Sequence, residues 1–174
     1  MIQDKKLDII ILRGAPASGK SQSAKCLTKF FPKGVKMEVD ALRKMVISVD
    51  WTNQEEHINI LKASTRLVSE FLKLGLSPVI IVDTFSGNKI DKYLDTLYHL
   101  NKDVSIRIFG LYAEEDELRR RLDLRAEDEF RDFEICRKLN GDVLKVKHES
   151  EYQIDTTGLL PTQTAEIIYN QLDI

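Results

Sequence analysis

Gly14-Ala15-Pro16-Ala17-Ser18-Gly19-Lys20-Ser21 fits the pattern G-x-x-x-x-G-K-[ST] at every fixed position. Each fixed residue type has a task in holding phosphate. Gly14 and Gly19 let the main chain turn its N–H groups toward one point, to which a following helix adds its unpaired amides and the positive end of its dipole. Ala15, Pro16, Ala17 and Ser18 carry the backbone that wraps the anion. Lys20 has the reach to meet β and γ phosphates as a mobile charge, and the Ser21 hydroxyl suits a magnesium ion bridging them. Gln22 follows and offers no further hydroxyl. A chance glycine-rich turn would lack the buried strand before it and the helix after it, and both are predicted here.

Two acids stand in related positions. Val35-Lys36-Met37-Glu38-Val39 alternates as a short strand that ends at Asp40, before a helix predicted from Ala41 to Met45. Pro78-Val79-Ile80-Ile81-Val82 is apolar throughout, as expected of a strand covered on both faces, and it ends in Asp83 and Thr84. Phosphoryl transfer needs an acceptor hydroxyl in line with the γ-phosphate, a group to take its proton, and positive charge on the equatorial oxygens. Asp40 is the candidate base, and Arg43, one turn on, could grip an acceptor or its phosphate with a bidentate fork. The plainer role for Asp40 is a helix cap paired with Arg43. Asp83 suits an acid that touches magnesium through water or positions the acceptor, against the plainer role of a turn residue.

Arg121 and Arg125 lie one helical turn apart and could close over a triphosphate, supplying charge where it develops in the transition state. The competing arrangement is a solvated helix in which they pair with Glu114, Glu117 and Asp123. Arg119 and Arg120 are secondary candidates. His57, His99 and His148 are dispersed without a consistent partner and are expected to be surface or structural residues. Trp51 is expected at the edge of the core, with base stacking as its alternative role.

Strands and helices must bring these residues together. Residues 7–12 form a mostly apolar, β-branched run, and residues 21–31 place Ala24, Leu27 and Phe31 at helical spacing. Thr52 and Glu55 form a capping box for a long helix marked by Ile60, Ala63, Leu67, Phe71 and Leu74, which Gly75 stops. Ile90, Leu94 and Leu97 mark another helix. Residues 104–111 form a fourth strand, residues 114–125 a charged helix, and Tyr152-Gln153-Ile154 a short fifth strand. After Asp155-Thr156-Thr157-Gly158, Pro161 opens a last helix with Ala165, Ile168 and Leu172 facing inward. Such alternation implies right-handed βαβ crossovers, hence a three-layer α/β/α sandwich on a five-stranded parallel sheet. Ligands bind beyond the carboxyl ends of such strands, so the glycine loop, Asp40 and Asp83 are brought to one rim.

The chain has 174 residues, 43% of them hydrophobic, which suits one domain with a sizeable core. A net charge of −2 argues against a broad polyanion-binding surface while leaving room for a local basic groove. Cys26 and Cys136 have neither disulfide-framework nor zinc spacing and are expected to be ordinary intracellular thiols. No apolar run approaches bilayer length, and residues 1–6 are too charged to begin a signal h-region, so a cytoplasmic protein is expected.

With these residues assembled, the chain resembles the P-loop kinases, and within them the group of polynucleotide kinase and related small kinases. The family loop often reads G-x-P-G-S-G-K-[ST], with Ala17 here standing where glycine is usual. The family's second strand often ends in an Asp followed three residues later by Arg, as at Asp40 and Arg43, and its third in Asp-Thr, as at Asp83-Thr84. Arginines four apart in a lid match Arg121 and Arg125, and Asp155-Thr156-Thr157 resembles the segment that lies near the adenine. The resemblance implies a single P-loop kinase domain over residues 1–174 with a lid around 114–140. It implies transfer from ATP, with magnesium, to an alcohol hydroxyl. A polynucleotide 5′-hydroxyl is the leading acceptor, with Lys44 or Lys89 as further donors to its phosphates. A small-molecule or nucleoside kinase is the alternative, and a nucleotide-hydrolysing switch a second one, although no N-K-x-D guanine motif is present.

Overall fold

A computed structural model describes residues 6–172 and 174; the expectation about a signal sequence in residues 1–5 lies outside them. Five strands, β1 (Ile9–Gly14), β2 (Val35–Glu38), β3 (Val79–Asp83), β4 (Ile106–Tyr112) and β5 (Glu151–Asp155), form one sheet in the order β2-β3-β1-β4-β5. Every neighbouring pair is parallel. The helices are α1 (Lys20–Leu27), α2 (Val39–Arg43), α3 (Gln54–Lys73), α4 (Lys89–Leu100), α5 (Glu115–Asp123), α6 (Phe133–Lys145) and α7 (Pro161–Asn170).

The period of two along the central strands sorts side chains into two cores. Ile9, Ile11, Val79 and Ile81 pack with Leu61 and Val68 of α3 and with Ile90, Leu94 and Leu97 of α4. Ile10, Leu12, Ile80 and Val82 pack on the opposite face with Ala24 and Leu27 of α1 and Ala165 and Ile168 of α7. Three layers result, as the alternation of strands and helices predicts. Leu172 lies beyond the end of α7 but is buried in the second core.

Three local expectations shift. The helix after β2 starts at Val39, so Asp40 sits in its first turn, and Glu38 rather than Asp40 is the N-cap residue. The long helix is capped by Asn53, whose side chain accepts the Glu56 N–H at 3.0 Å, while the Thr52 hydroxyl turns to Asp50 Oδ1 at 2.7 Å. The run after the glycine loop leaves α-helix at Leu27 and finishes as a 3-10 turn, Thr28–Phe30. α6 has no counterpart among the elements expected from the sequence. Its buried Cys136, Asn140 and Val143 lie on one face at helical spacing, with Asp132 capping Ile135 N at 3.0 Å.

Candidate active site

The loop between β1 and α1 is built so that side chains cannot intrude on it. A Cβ at Gly14 would run into the Leu111 carbonyl oxygen and the Ser18 side chain. Gly19, at the N-cap of α1, has φ 93°, a left-handed conformation that favours glycine. Ala17 also adopts a left-handed φ of 64°, which explains why glycine is usual at that position in similar kinases. Its methyl is buried in a cluster with Ala15, Ala113, Leu118, Leu122 and Cys136, so α5 and α6 pack on the loop itself. The Cys136 thiol, expected to be ordinary, donates to the Pro16 carbonyl at 2.9 Å, and burial pushes its pKa up.

Lys20 Nζ donates to the Ala15 carbonyl at 3.0 Å. Desolvation pushes its pKa down, while the charges of Asp83 and then Asp40 pull it back up. Ser18 Oγ is buried and has no hydrogen-bond partner among the described residues. A backbone cradle with its side-chain space left empty and a desolvated lysine fit a bound triphosphate. Ser21 Oγ lies 3.2 Å from Glu38 Oε2, an acid that the sequence analysis did not single out. Burial works against ionisation of Glu38, but its contacts with Lys36 and Ser21 hold the carboxyl below its ordinary range. Among the described residues no group of three or more metal-ligating side chains occurs. A magnesium ion here would therefore depend on phosphate oxygens and water beside Ser21.

Asp40 and Asp83 come to the same rim. Asp40 opens to solvent, yet the cleft walls around its carboxyl push the pKa up, Asp83 adds to this, and Lys20, His57 and Arg43 oppose it. Asp83 is buried, the last residue of β3 rather than part of a turn, and Thr84 beside it is half-buried. His57 Nε2 lies 3.2 Å from Asp83 Oδ1, and the Phe85 N–H donates to Oδ2 at 2.9 Å. His57 thus has a partner that its position in the sequence did not announce. Lys89 Nζ lies 3.3 Å from the other ring nitrogen, Nδ1. An ammonium can only donate, so Nδ1 accepts and Nε2 carries the proton given to Asp83.

Arg43 is drawn inward. It donates to the Asp50 carbonyl at 3.1 Å, lies 3.7 Å from Glu56, and stands over the Trp51 ring at 4.7 Å. Asp40 is among the groups that sense its charge, but the pairing of the two at a helix cap is not formed. Trp51 is 45% exposed and so is not a core residue.

Across the loop, Arg121 donates to Glu117 at 2.7 Å, to the Ala17 carbonyl at 3.2 Å, and to Thr156 Oγ1 and O at 2.9 and 2.6 Å. The ion pair along the helix is therefore formed at Arg121 with Glu117, and the same guanidinium reaches the backbone of the loop. Thr156 is buried, with Oγ1 3.0 Å from the Ser18 carbonyl. A cleft of about 250 Å³ lined by Gly19, Gln22, Arg121, Thr156 and Pro161 opens beside it. Arg125 donates to the Phe130 carbonyl at 3.0 Å, and its charge adds to the lowering of the Lys20 pKa while opposing the upward shift of Cys136. Arg120 is committed to Glu117 at 2.8 Å, and Arg119 lies over the Phe133 ring at 3.7 Å.

Behind the loop lies an ion pair that motif reading missed. Arg13, one residue before Gly14, meets Glu151 of β5 at 2.8 Å with both side chains wholly buried, and also donates to the carbonyls of Val146 and Phe85. A Cβ at Gly110 would collide with Glu151, which accounts for the glycine in β4.

Sheet order, loop and acids at the strand ends define the fold of a P-loop kinase. A family model described as an AAA domain matches residues 9–144, well over half of the 174-residue chain, and the chain belongs to that family. No curated protein matches it significantly. Its fold is similar to that of an unliganded sugar kinase from Janibacter sp. HTCC2649, at 17% identity and TM-score 0.69, over 97% of this chain and 96% of that one. The tunicamycin resistance protein of Deinococcus radiodurans is similar at 22% identity and TM-score 0.69, over 96% of each chain. A chain of the Pnkp1/Rnl/Hen1 RNA repair complex is similar at 23% identity and TM-score 0.65, over 83% of this chain and 46% of that one.

Proposed function

We propose that the protein is an ATP-dependent kinase that transfers the γ-phosphate to a hydroxyl of a small molecule. The observation that carries this is the approach of Lys20, Asp40 and Asp83 at one rim, close enough for the charges of both acids to oppose the downward shift that burial imposes on the lysine's pKa. Sugar, gluconate, shikimate and adenylylsulfate kinases are among the proteins of similar fold, which favours a small acceptor.

In this reading the loop amides and Lys20 hold the triphosphate, and Arg125 adds positive charge on the side facing α5. The cleft beside Thr156 takes the adenine. Asp40, ionised, accepts the proton of the acceptor hydroxyl as its oxygen attacks the γ-phosphorus and the bond to the β–γ bridging oxygen breaks. Asp83, held by His57 and Phe85, orients what lies between Asp40 and the loop. Magnesium held beside Ser21 would supply charge on the β and γ oxygens. Residues 1–174 form one domain in this proposal, with α5 and α6 as a lid over 114–140.

A polynucleotide 5′-hydroxyl is a second acceptor, favoured by the exposed Trp51 ring beside Arg43, a surface on which a terminal base could stack. Screening sugars, small alcohols, nucleosides, nucleoside 3′-phosphates and 5′-hydroxyl oligonucleotides for γ-phosphate transfer tests both. Transfer to small alcohols that is lost in Lys20→Ala, with the fold retained, is the expected result. Equal transfer by Lys20→Ala removes the loop from the mechanism, and transfer to oligonucleotides alone selects the second acceptor.

A further inference from the structure

Lys89 is a cation without a counterion. It enters α4 from the strained turn after β3, where Phe85 and Gly87 have φ of 48° and 60°. Its Nζ is held by Gln54 Oε1 at 2.8 Å, His57 Nδ1 at 3.3 Å and Ser86 Oγ at 3.4 Å, none of them a carboxylate. Among the described residues no carboxylate lies within ion-pair distance of it, and Asp83 is reached only through the His57 ring. Both Asp83 oxygens are already engaged, by His57 and by the Phe85 N–H.

The surroundings make the missing charge costly. Burial pushes the Lys89 pKa down, the Arg43 guanidinium pushes it further down, and only Asp83 pulls it up. Lys89 thus feels the charge of Arg43 as well as burial, with no acid ion-paired to it among the described residues. Arg43 is itself almost wholly buried, and its Nε has no partner among the described residues. A half-buried cation beside another cation gains from an anion that accepts from it, more than it would in water. Two of its three present bonds are long enough to be exchanged for shorter, charged ones.

We propose that Lys89 is the cation that recognises the acceptor, and that the acceptor is a small alcohol carrying an anionic group, phosphate or carboxylate, at the end remote from the reacting hydroxyl. Asp40 receives the proton at one end of such a molecule and Lys89 holds the other. Because Lys89 also touches the ring that orients Asp83, engagement of the anion and placement of the acid are linked through His57. The assignment of the cleft as an acceptor site rests on the kinase reading; the anion site itself does not.

With the loop filled by an ATP analogue whose β–γ bridge cannot be hydrolysed, plus magnesium, inorganic phosphate and acetate are titrated calorimetrically into the native protein, Lys89→Met, Lys89→Gln and the surface control Lys92→Met. The expected result is saturable binding of at least one anion, weakened about tenfold or more in both Lys89 variants, as loss of a charge-assisted hydrogen bond implies, and unchanged in Lys92→Met. No saturable binding of either anion, or equal binding by native and Lys89 variants, overturns the proposal. Lys89→Gln keeps a polar head for Gln54 and Ser86, so it serves if Lys89→Met fails to fold. Transfer assays with glycerol, glycerate and glycerol 3-phosphate separate the two anionic groups. Preference for glycerol, with the Lys89 variants as active as native, overturns the anion site and leaves the kinase standing. Lys89-dependent anion binding without transfer to any alcohol leaves the anion site and overturns the kinase.

Discussion

His57 Nε2 stands 3.2 Å from Asp83 Oδ1, joining the first turn of α3 to the end of β3 inside the protein. Removing the imidazole leaves a buried carboxylate short of one donor, at a cost of about 1–3 kcal/mol. His57→Ala is expected to lower kcat about tenfold while leaving the KM for ATP unchanged, because the loop does not depend on it. His57→Gln, which can still donate to Asp83, should restore most of the loss. Steady-state kinetics for both variants, with chemical denaturation alongside, separate positioning from simple instability. An equal loss in both variants contradicts the positioning role.

As the proposed base, Asp40 is expected to set the acidic limb of activity. The cleft walls and then Asp83 push its pKa above the ordinary carboxylate value, and a base must be ionised to act, so kcat should fall with decreasing pH from above the usual carboxylate range. Asp83→Asn removes a negative neighbour that opposes ionisation, so the limb should move to lower pH. Asp40→Asn should remove the limb and most of kcat while ATP still binds. A pH–rate profile for the three proteins is the measurement. A limb that stays in place in Asp83→Asn separates the two acids.

Glu117 is held far below its ordinary value, to about 2, chiefly by hydrogen bonds from Arg120, with burial opposing and Arg121 adding to the effect. A carboxyl with a depressed folded-state pKa contributes stability above its unfolded value, and that contribution is lost as pH falls through the folded one. The latch between α5 and the loop should therefore persist until about pH 2, as carboxyl resonances followed by NMR would show. Glu117→Gln frees Arg121 from its charged partner. The KM for ATP is expected to rise several-fold, with kcat affected less.

The buried Arg13–Glu151 pair predicts a large stability effect far from the chemistry. Breaking one side leaves a desolvated charge, which costs about 3–5 kcal/mol. Glu151→Gln and Arg13→Met should each lose about that much in urea unfolding. A joint Arg13→Met and Glu151→Leu replacement should recover much of the loss, since an apolar pair of similar size is often as stable. Single variants as stable as the native protein would show that the pair is not closed.

The loop, the strand ends and both acids were legible because each is written in a short window: fixed glycines, an apolar run, an acid at its end. What stayed hidden depends on residues far apart. His57 and Asp83 are 26 positions apart, Arg121 and Thr156 35, and Arg13 and Glu151 138. No periodicity reports such pairs. α6 was hidden for another reason: Asn140 occupies an inward position on the helix, bonding the Ala113 carbonyl at 3.0 Å, and its polarity interrupts the apolar stripe by which a helix is recognised. Arg43 was expected to reach an acceptor or to pair with Asp40, whereas in the structure it turns toward Asp50 and Trp51 and is buried.

Ala17 joins two properties that are usually separate, a left-handed φ and a methyl packed beneath α5 and α6. A glycine there would relax the main chain by about 1–2 kcal/mol, but it would also leave Leu118 and Leu122 without that contact. Any outward swing of α5 would uncover the methyl, so the packing of Ala17 acts against such a movement. In the proposed kinase the rate at which spent nucleotide escapes is then expected to depend on the size of a single side chain, and Leu122→Ala, about a hundred residues along the chain, should loosen the grip on ADP as directly as a change in the loop.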